Sequence, residues 1–278
     1  MYRGKPWTVL ITAVRERDEG YERLLSRLEG EGIRVSEVGP EDPREGKEAA
    51  LSDREGSLLL TDIPEKAESA WRAGLACVFL ERGGMRACVP YVLQEPDETG
   101  RDYFQTVYSR MHGDPLVIAE TERLCVRELV CDEAEGFFSL GAEAGFLQAG
   151  QLGGQRAFVE AYRKYQYGLY GYGFWSVVEK ESGEWAGIAG AEGREDGRGW
   201  FLELGYAIVP EKRRQGYAKE ACAAVFACLK RLFEGEESCR IKCFVPKKNI
   251  ASQRTAQSIG MLQTKEVLDK FYCYERIL

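Results

Sequence analysis

Histidine is almost absent from the chain, since His112 is the only one among 278 residues. It lies in a stretch that we interpret as a linker between domains. Histidine-based catalytic triads and histidine-ligated zinc sites are therefore excluded. We assign no metal ion to this protein.

The sequence also lacks an excess of positive charge, because its formal net charge is −7. Nucleic-acid binders usually carry a basic excess or a basic face, so we predict no nucleic-acid partner. An acidic surface is instead compatible with cationic or amine substrates.

Long apolar runs are missing as well. The run Trp7–Val14 follows Arg3 and Lys5 but is short and has no small-residue cleavage site after it, so it is not a typical secretory signal. No other segment approaches the length of a membrane span. The nine cysteines are odd in number and lie mostly in apolar runs, which indicates reduced thiols. We expect a soluble, cytoplasmic protein without a membrane partner.

The length exceeds that of a usual single domain, and glycine and proline between His112 and Pro115 mark a boundary. We therefore predict two domains, residues 1–112 and 116–278. In the first, short apolar strands alternate with helices, which is typical of a small parallel α/β sheet of Rossmann-like type. The predicted strands are Trp7–Val14, Ile33–Val38, Ser57–Thr61 and Ala76–Leu80, with helices at Tyr21–Leu28, Glu65–Ala73 and Tyr103–Met111.

This first domain has neither a phosphate-loop lysine nor a dinucleotide glycine fingerprint. The segment Leu58–Pro64 resembles haloacid-dehalogenase-like folds, with Asp62 at the end of a strand, which is a common ligand position. The first strand ends at Thr12–Arg15 without the paired aspartates that phosphoryl transfer requires. We therefore interpret the domain as a degenerate, non-catalytic module that recognises a ligand or stabilises the rest.

The pattern changes after the boundary and predicts an α+β domain with a mixed, mostly antiparallel sheet. Three strands separated by polar turns indicate a meander, with a glycine-rich loop at Gly193–Gly199. The predicted strands are Ile118–Glu128, Phe174–Glu179, Trp185–Ala191, Trp200–Val209, Arg240–Val245, Leu262–Leu268 and Phe271–Ile277. The predicted helices are Cys131–Leu140, Gln155–Leu169, Gly216–Phe233 and Asn249–Ile259.

The segment from Glu203 to Ala218 indicates an anion site. A strand ends at Pro210, a basic loop follows, and a helix begins at Gly216, so free backbone N–H groups and the positive end of the helix dipole meet at one place. Gly216 and Ala218 leave room for a phosphate. Lys212, Arg213 and Arg214 supply positive charge nearby, and a diphosphate fits such a site.

Three segments in order resemble the GNAT superfamily of acyltransferases. Arg213-Arg214-Gln215-Gly216-Tyr217-Ala218 is similar to its pyrophosphate motif, and Asn249–Met261 to its asparagine-initiated helix. Glu120–Glu128 resembles the opening strand of the ribosomal-protein N-terminal acetyltransferase branch. The resemblance implies acetyl-CoA as co-substrate, bound by Ile208, Val209, Arg213, Arg214, Gln215, Gly216, Tyr217, Ala218, Asn249 and Ser252.

Acyl transfer to an amine needs a neutral amine, so a general base is useful. The resemblance places this base at Glu203, with a solvated strand glutamate as the alternative interpretation and Glu192 as the next candidate. Many relatives carry a tyrosine acid seven positions after the asparagine, but here that residue is Ala256. Ser252, Tyr217 or water then supplies the proton.

We therefore predict an N-acetyltransferase that moves an acetyl group from acetyl-CoA to a primary amine of a protein N-terminus, a peptide or a small molecule. The alternative is a CoA-binding sensor or regulatory protein that has lost catalysis. An aromatic cluster lines the acceptor pocket or packs in the core: Tyr162, Tyr165, Tyr167, Tyr170, Tyr172, Phe174 and Trp175. The sequence does not identify the amine acceptor, and it does not distinguish a monomer from a homodimer.

Overall fold

A computed structural model describes residues 7–39, 56–144, 154–236, 239–266 and 269–278, so Arg3 and Lys5 lie outside the described residues. The chain forms two compact units, Met1–Leu116 and Val117–Leu278. That these units are independently folding domains stays a prediction. Among the described residues, no helix combines the length and the apolar character that a membrane crossing requires.

The first unit contains a five-stranded parallel sheet in the order β2-β1-β3-β4-β5. Its strands are β1 (Val9–Ala13), β2 (Arg34–Glu37), β3 (Ser57–Thr61), β4 (Cys77–Leu80) and β5 (Val92–Leu93). Its helices are α1 (Glu19–Gly30), α2 (Pro64–Arg72) and α3 (Arg101–Met111), with a short 3₁₀ turn at Pro96–Glu98. The predicted parallel α/β layer is confirmed, although the two-residue strand β5 was not predicted.

The central strands β1, β3 and β4 are buried on both faces, as is typical of a parallel sheet. One face packs with α1 and α3 through a cluster that includes Trp7, Tyr21 and Phe104. The other face packs with α2 through a smaller cluster around Ala70 and Cys77. The apolar runs that predicted the strands are therefore the same runs that form the core.

Asp62 follows β3 and is completely buried. Its carboxylate accepts hydrogen bonds from the backbone N–H of Arg15 at 2.8 and 2.9 Å and of Glu16 at 2.9 Å. In open α/β sheets, ligands bind beyond the carboxyl ends of the strands where the strand order reverses, here between β1 and β3. A carboxylate of the chain itself fills that place, so Asp62 joins two strands instead of facing a ligand.

The second unit contains an eight-stranded sheet in the order β12-β13-β11-β10-β9-β8-β7-β6. All neighbouring strands are antiparallel except β10 and β11, which are parallel. The strands are β6 (Val117–Glu120), β7 (Leu124–Arg127), β8 (Phe174–Glu179), β9 (Trp185–Asp196), β10 (Gly199–Ile208), β11 (Arg240–Pro246), β12 (Leu262–Gln263) and β13 (Phe271–Ile277). The predicted mixed, mostly antiparallel sheet is confirmed.

Helices cover both faces of this sheet. They are α4 (Ala134–Ala144), α5 (Gln155–Ala161), α6 (Gly168–Tyr170), α7 (Tyr217–Leu232) and α8 (Ile250–Ser258). A π-helical segment, Tyr162–Tyr167, joins α5 to α6, and 3₁₀ turns occupy Cys131–Glu133 and Pro210–Lys212. Helix α7 buries Ala221, Cys222 and Val225 against the sheet, which follows the predicted helical spacing of apolar residues.

Three predicted elements differ from the structure. The single strand predicted over Ile118–Glu128 is the hairpin β6–β7, because the Thr121 hydroxyl and backbone N–H both bond Leu124 and close a turn. The loop predicted at Gly193–Gly199 is mostly strand, since β9 pairs with β10 as far as Asp196. The strand predicted over Leu262–Leu268 is only β12, and residues 267 and 268 lie outside the described part of the chain.

Replacing the buried carboxylate of Asp62 should destabilise the first unit. In Asp62→Ala the N–H groups of Arg15 and Glu16 lose the buried carboxylate that accepts their hydrogen bonds, so we expect the free energy of unfolding to fall by about 2–3 kcal/mol. Urea denaturation monitored by hydrogen exchange in β1 and β3 measures this change. Asp97→Ala removes a solvent-exposed partner of Arg23 in the same unit and is the control. Equal effects of the two substitutions would contradict the role given to Asp62.

Candidate active site

The sheet of the second unit opens between β10 and β11. Strand β10 pairs with β9 over ten residues, but with β11 only at Leu202–Ile241 and Glu203–Lys242. Strand β11 meanwhile stays paired with β13 along its whole length. Beyond Glu203 the two parallel strands diverge into a V, and the backbone of residues 204–208 has no strand on its β11 side. Backbone N–H and C=O groups at such an edge can pair with an extended ligand.

The open end of this V leads into the predicted anion site. After β10 the chain passes through the Pro210–Lys212 turn and enters α7 at Gly216, which has a left-handed backbone (φ 85°) and provides no side-chain cap. Arg214 is left-handed too (φ 64°), alone among the non-glycine residues that the structure describes. The first-turn N–H groups of α7 have no acceptor within the helix. They face outward at the positive end of its dipole.

The three basic residues of the loop have different positions. The Lys212 ammonium lies 2.7 Å from Glu179 and 2.8 Å from Glu184, so it is committed to the β8–β9 hairpin. The Arg213 guanidinium donates to the Ile208 carbonyl at 2.7 Å and contacts Glu143. Arg214 is exposed, and its side chain forms no hydrogen bond or ion pair with the described residues. Only Arg214 therefore has a guanidinium free for a phosphate.

Helix α8 forms the other wall of the V. The Asn249 side chain accepts from the Ser252 backbone N–H at 3.0 Å, so Asn249 is the N-cap of α8. The Tyr206 hydroxyl donates to the Ser252 carbonyl at 3.0 Å and links β10 to this helix. Ser252 is half-buried, and its side chain also hydrogen-bonds the Tyr206 phenol. Position 256, where the resemblance would place a tyrosine, holds an alanine that is completely buried.

Two carboxylates lie near the apex of the V. Glu203 on β10 is directly opposite Glu192 on β9. The Arg194 guanidinium donates to both, at 3.1 Å in each case, and the Tyr162 hydroxyl donates to Glu192 at 3.2 Å. Burial raises the pKa of the Glu192 carboxyl above its ordinary value. The apex therefore holds two acids, one shared cation and a phenol.

Tyr217 does not face this apex. Its hydroxyl donates to Glu179, the acid that also receives Lys212 at 2.7 Å and the Ser182 hydroxyl at 2.5 Å. These hydrogen bonds, with Lys212 first, lower the pKa of Glu179 to about 2. In turn, the hydrogen bond to Glu179 raises the pKa of Tyr217. The Tyr217 phenol, one of the proton donors predicted from the sequence, therefore belongs to the hydrogen-bond network around Glu179.

Most of the predicted aromatic cluster is core. Tyr162, Tyr167, Tyr172, Phe174 and Trp175 are buried, whereas Tyr165 and Tyr170 are exposed. Within this aromatic cluster, Tyr162 hydrogen-bonds Glu192, one of the two carboxylates at the apex of the V.

Sequence reasoning missed two arginines at the site. Arg194 lies between the two carboxylates. The alternation Glu192-Gly193-Arg194 is typical of a strand that continues into a polar hairpin, but the glycines of this segment predicted a loop. Arg123 lies in the β6–β7 turn and donates to the Gln215 carbonyl in the loop before α7, but the sequence predicted a continuous strand at this position. Among the described residues, no group of three or more histidine, cysteine or acidic side chains could hold a metal ion.

Residues 123–262 match the family model of the acetyltransferase (GNAT) domain, which is just over half of the chain. The chain therefore belongs to the GNAT acetyltransferase family, whose members use acetyl-CoA as co-substrate. The match does not include the first unit, and the haloacid-dehalogenase-like resemblance predicted there has no support. No curated protein sequence is significantly similar to the chain.

Several solved structures are similar to the chain. A protein from Bordetella pertussis that is assigned to the GNAT-family acetyltransferases is 23% identical, with a TM-score of 0.46 over 57% of this chain and 98% of its own. An acetyltransferase from Agrobacterium tumefaciens is 20% identical, with a TM-score of 0.44 over 57% and 92% of the two chains. A spermidine N-acetyltransferase variant from Vibrio cholerae is 12% identical, with a TM-score of 0.44 over 56% and 95%.

The Glu179 network generates a pH-dependent prediction. A carboxyl with a lowered pKa stabilises the fold above the ordinary pKa of 4.5, and this contribution disappears as the pH falls towards about 2. Glu179→Gln should therefore lower the melting temperature at pH 7, and the difference from wild type should shrink between pH 4.5 and pH 3. Thermal melts across this range measure it, with Glu181→Gln in the same hairpin as the control. A difference that does not change with pH would contradict this account.

Proposed function

We propose that the chain transfers the acetyl group of acetyl-CoA to a primary amine by direct attack of the amine on the thioester. The observation that carries this proposal is the V between β10 and β11. Its apex adjoins two carboxylates, and its open end leads to the N-terminus of α7. The family match independently supports acetyl-CoA as the co-substrate.

The diphosphate of the cofactor binds the free N–H groups of residues 214–218, with the Arg214 guanidinium beside it. From there the pantetheine arm runs up the V along residues 204–208 and pairs with their unpartnered backbone groups. Five strand residues span about 16 Å, which is of the order of an extended acyl-pantetheine arm. Ile208 and Val209 lie where the arm meets the diphosphate, and Asn249 and Ser252 line the α8 side.

The thioester then lies near the apex, beside Glu203. An alkylammonium has a pKa of about 10.4 and an α-amino group about 8, so the attacking amine has to lose a proton at neutral pH. Glu203 accepts that proton directly or through water. The nitrogen forms a bond to the carbonyl carbon while an N–H of β10 stabilises the oxyanion. The C–S bond then breaks and the CoA thiolate leaves.

The departing thiolate takes the second proton of the attacking nitrogen, passed on through water or through the Ser252 hydroxyl. Ser252 is the better candidate of the two hydroxyls named from the sequence, because the Tyr217 phenol is bonded to Glu179. A thiolate is also a good leaving group, so catalysis tolerates the absence of a phenol at Ala256.

The charges at the apex favour a cationic acceptor. Glu192 and Glu203 share the single cation Arg194, which leaves a net negative charge beside the thioester. The acceptor is accordingly an amine that arrives protonated, such as a protein N-terminus, a peptide or a small-molecule amine. This charge also raises the local concentration of such ligands.

The second candidate function is a CoA-binding sensor without catalysis. The buried Ala256, where many relatives carry a tyrosine, is the observation that favours it. Binding of acetyl-CoA without acetylation of any amine would support the sensor.

The two carboxylates should respond differently to substitution. Glu203→Gln removes the base and should lower kcat by about 10²- to 10⁴-fold with little change in the KM for acetyl-CoA. Glu192→Gln should chiefly raise the KM for the amine, because it removes charge that attracts the ammonium group. Steady-state kinetics with spermidine and with a serine-initiated peptide measure both parameters.

The pH dependence separates the two roles further. Because burial raises the pKa of Glu192, the amine KM of the wild type should rise on acidification while the pH is still above 4.5, and Glu192→Gln should remove this rise. Glu195→Gln, on the opposite face of β9, is the control. An unchanged kcat in Glu203→Gln at every pH would remove Glu203 as the base.

A further inference from the structure

Arg123 lies in the turn between β6 and β7 and reaches the phosphate loop, although it belongs to a distant part of the chain. Its Nη1 donates to the Gln215 carbonyl at 2.9 Å. Its Nε and Nη2 donate to one oxygen of Glu220 at 2.9 and 2.6 Å. The guanidinium also stacks over the Tyr217 ring at 4.7 Å. One side chain thus contacts the loop, the first residue of α7 and its first turn.

Glu220 holds this arginine in place. Its second oxygen accepts from the Thr121 hydroxyl at 2.6 Å and from the Arg123 backbone N–H at 3.0 Å. The carboxylate therefore accepts four hydrogen bonds, all from the β6–β7 turn. Burial acts to raise the pKa of Glu220, but the hydrogen bonds from Thr121 and Arg123 outweigh it and keep the pKa below its ordinary value.

The hydrogen bond to Gln215 fixes the direction of one peptide group. In a planar trans peptide the C=O and the following N–H point in opposite directions. Because the Gln215 carbonyl points at Arg123, the Gly216 N–H points away from Arg123. Glycine tolerates both signs of φ, so without this contact the peptide between Gln215 and Gly216 is free to turn over. A reversed peptide presents its carbonyl oxygen to an incoming phosphate.

We propose that Arg123, held by Glu220, is a positioning residue that locks the Gln215–Gly216 peptide with its N–H directed at the cofactor diphosphate. The inference rests on the proposed acetyl-CoA site and adds to it a part that the sequence motif does not contain. Arg123 also neutralises Glu220, whose charge in the first turn of α7 otherwise repels the diphosphate. In Arg123→Gln both effects weaken diphosphate binding, whereas in Glu220→Gln only the loss of the lock does, and neither variant touches the acyl end of the V.

Calorimetric titrations with two ligands test this lock. Acetyl-CoA carries the diphosphate, whereas S-acetylpantetheine has the same acyl arm and none. In Arg123→Gln and in Glu220→Gln we expect the Kd for acetyl-CoA to rise at least about 10-fold, while S-acetylpantetheine binds as it does to the wild type. The double variant should be no weaker than the weaker single variant, because the two residues act as one unit.

Arg198→Gln is the matched control, since Arg198 forms an exposed ion pair of the same length, 2.6 Å, with Glu275 at the other end of the sheet. It should bind acetyl-CoA like the wild type. Wild-type affinity for acetyl-CoA in both single variants would overturn the positioning role and leave the proposed function standing. Equal loss of both ligands would show a general structural defect and also overturn it. A wild type that binds no acetyl-CoA would overturn the proposed function itself.

Discussion

The structure of the site depends on the short pairing between β10 and β11, the one parallel pair in an otherwise antiparallel sheet. Parallel neighbours need a crossover connection, and here α7 provides it. The strand end and the helix start are therefore neighbours in the chain. Because the pairing stops after Glu203, the same constraint leaves an open edge on β10 that leads to the N-terminus of α7, where we propose that the diphosphate binds.

The sheet opens only on the β11 side of β10, because β9 packs closely against the other edge of β10. A Cβ atom at Gly187 would lie 2.2 Å from the Ala207 carbonyl oxygen, so only glycine permits this approach of β9 to β10. Gly190 similarly lies against the Gly173 carbonyl next to β8, where a Cβ atom would be 2.1 Å away. Strands β8, β9 and β10 thus form one tight layer, and the place left for an extended ligand is the β11 side.

Local sequence patterns predicted most of the helices and strands. They did not predict the features that depend on pairing between distant segments. Strands β3, β8 and β13 begin and end where the sequence predicts, because polar turns flank each apolar run. The turn inside Ile118–Glu128 and the outward polar residues of β9 give no such signal, so the hairpin and the long strand were not predicted. The loop that we propose for the diphosphate can be singled out from the sequence because its residues are contiguous. The lock on that loop joins Arg123 to Glu220, 97 residues apart, and no local pattern reveals it.

The central claim is that the loop at Gly216 and the V above it bind acetyl-CoA. Calorimetric titration of the wild type and of Gly216→Asp tests it directly, with Gly197→Asp, which adds the same charge in an open turn, as the control. The account predicts wild-type and control affinities on the order of micromolar and no measurable binding to Gly216→Asp, because a carboxylate then occupies the diphosphate position. Absence of binding to the wild type, or equal binding to Gly216→Asp, would contradict it.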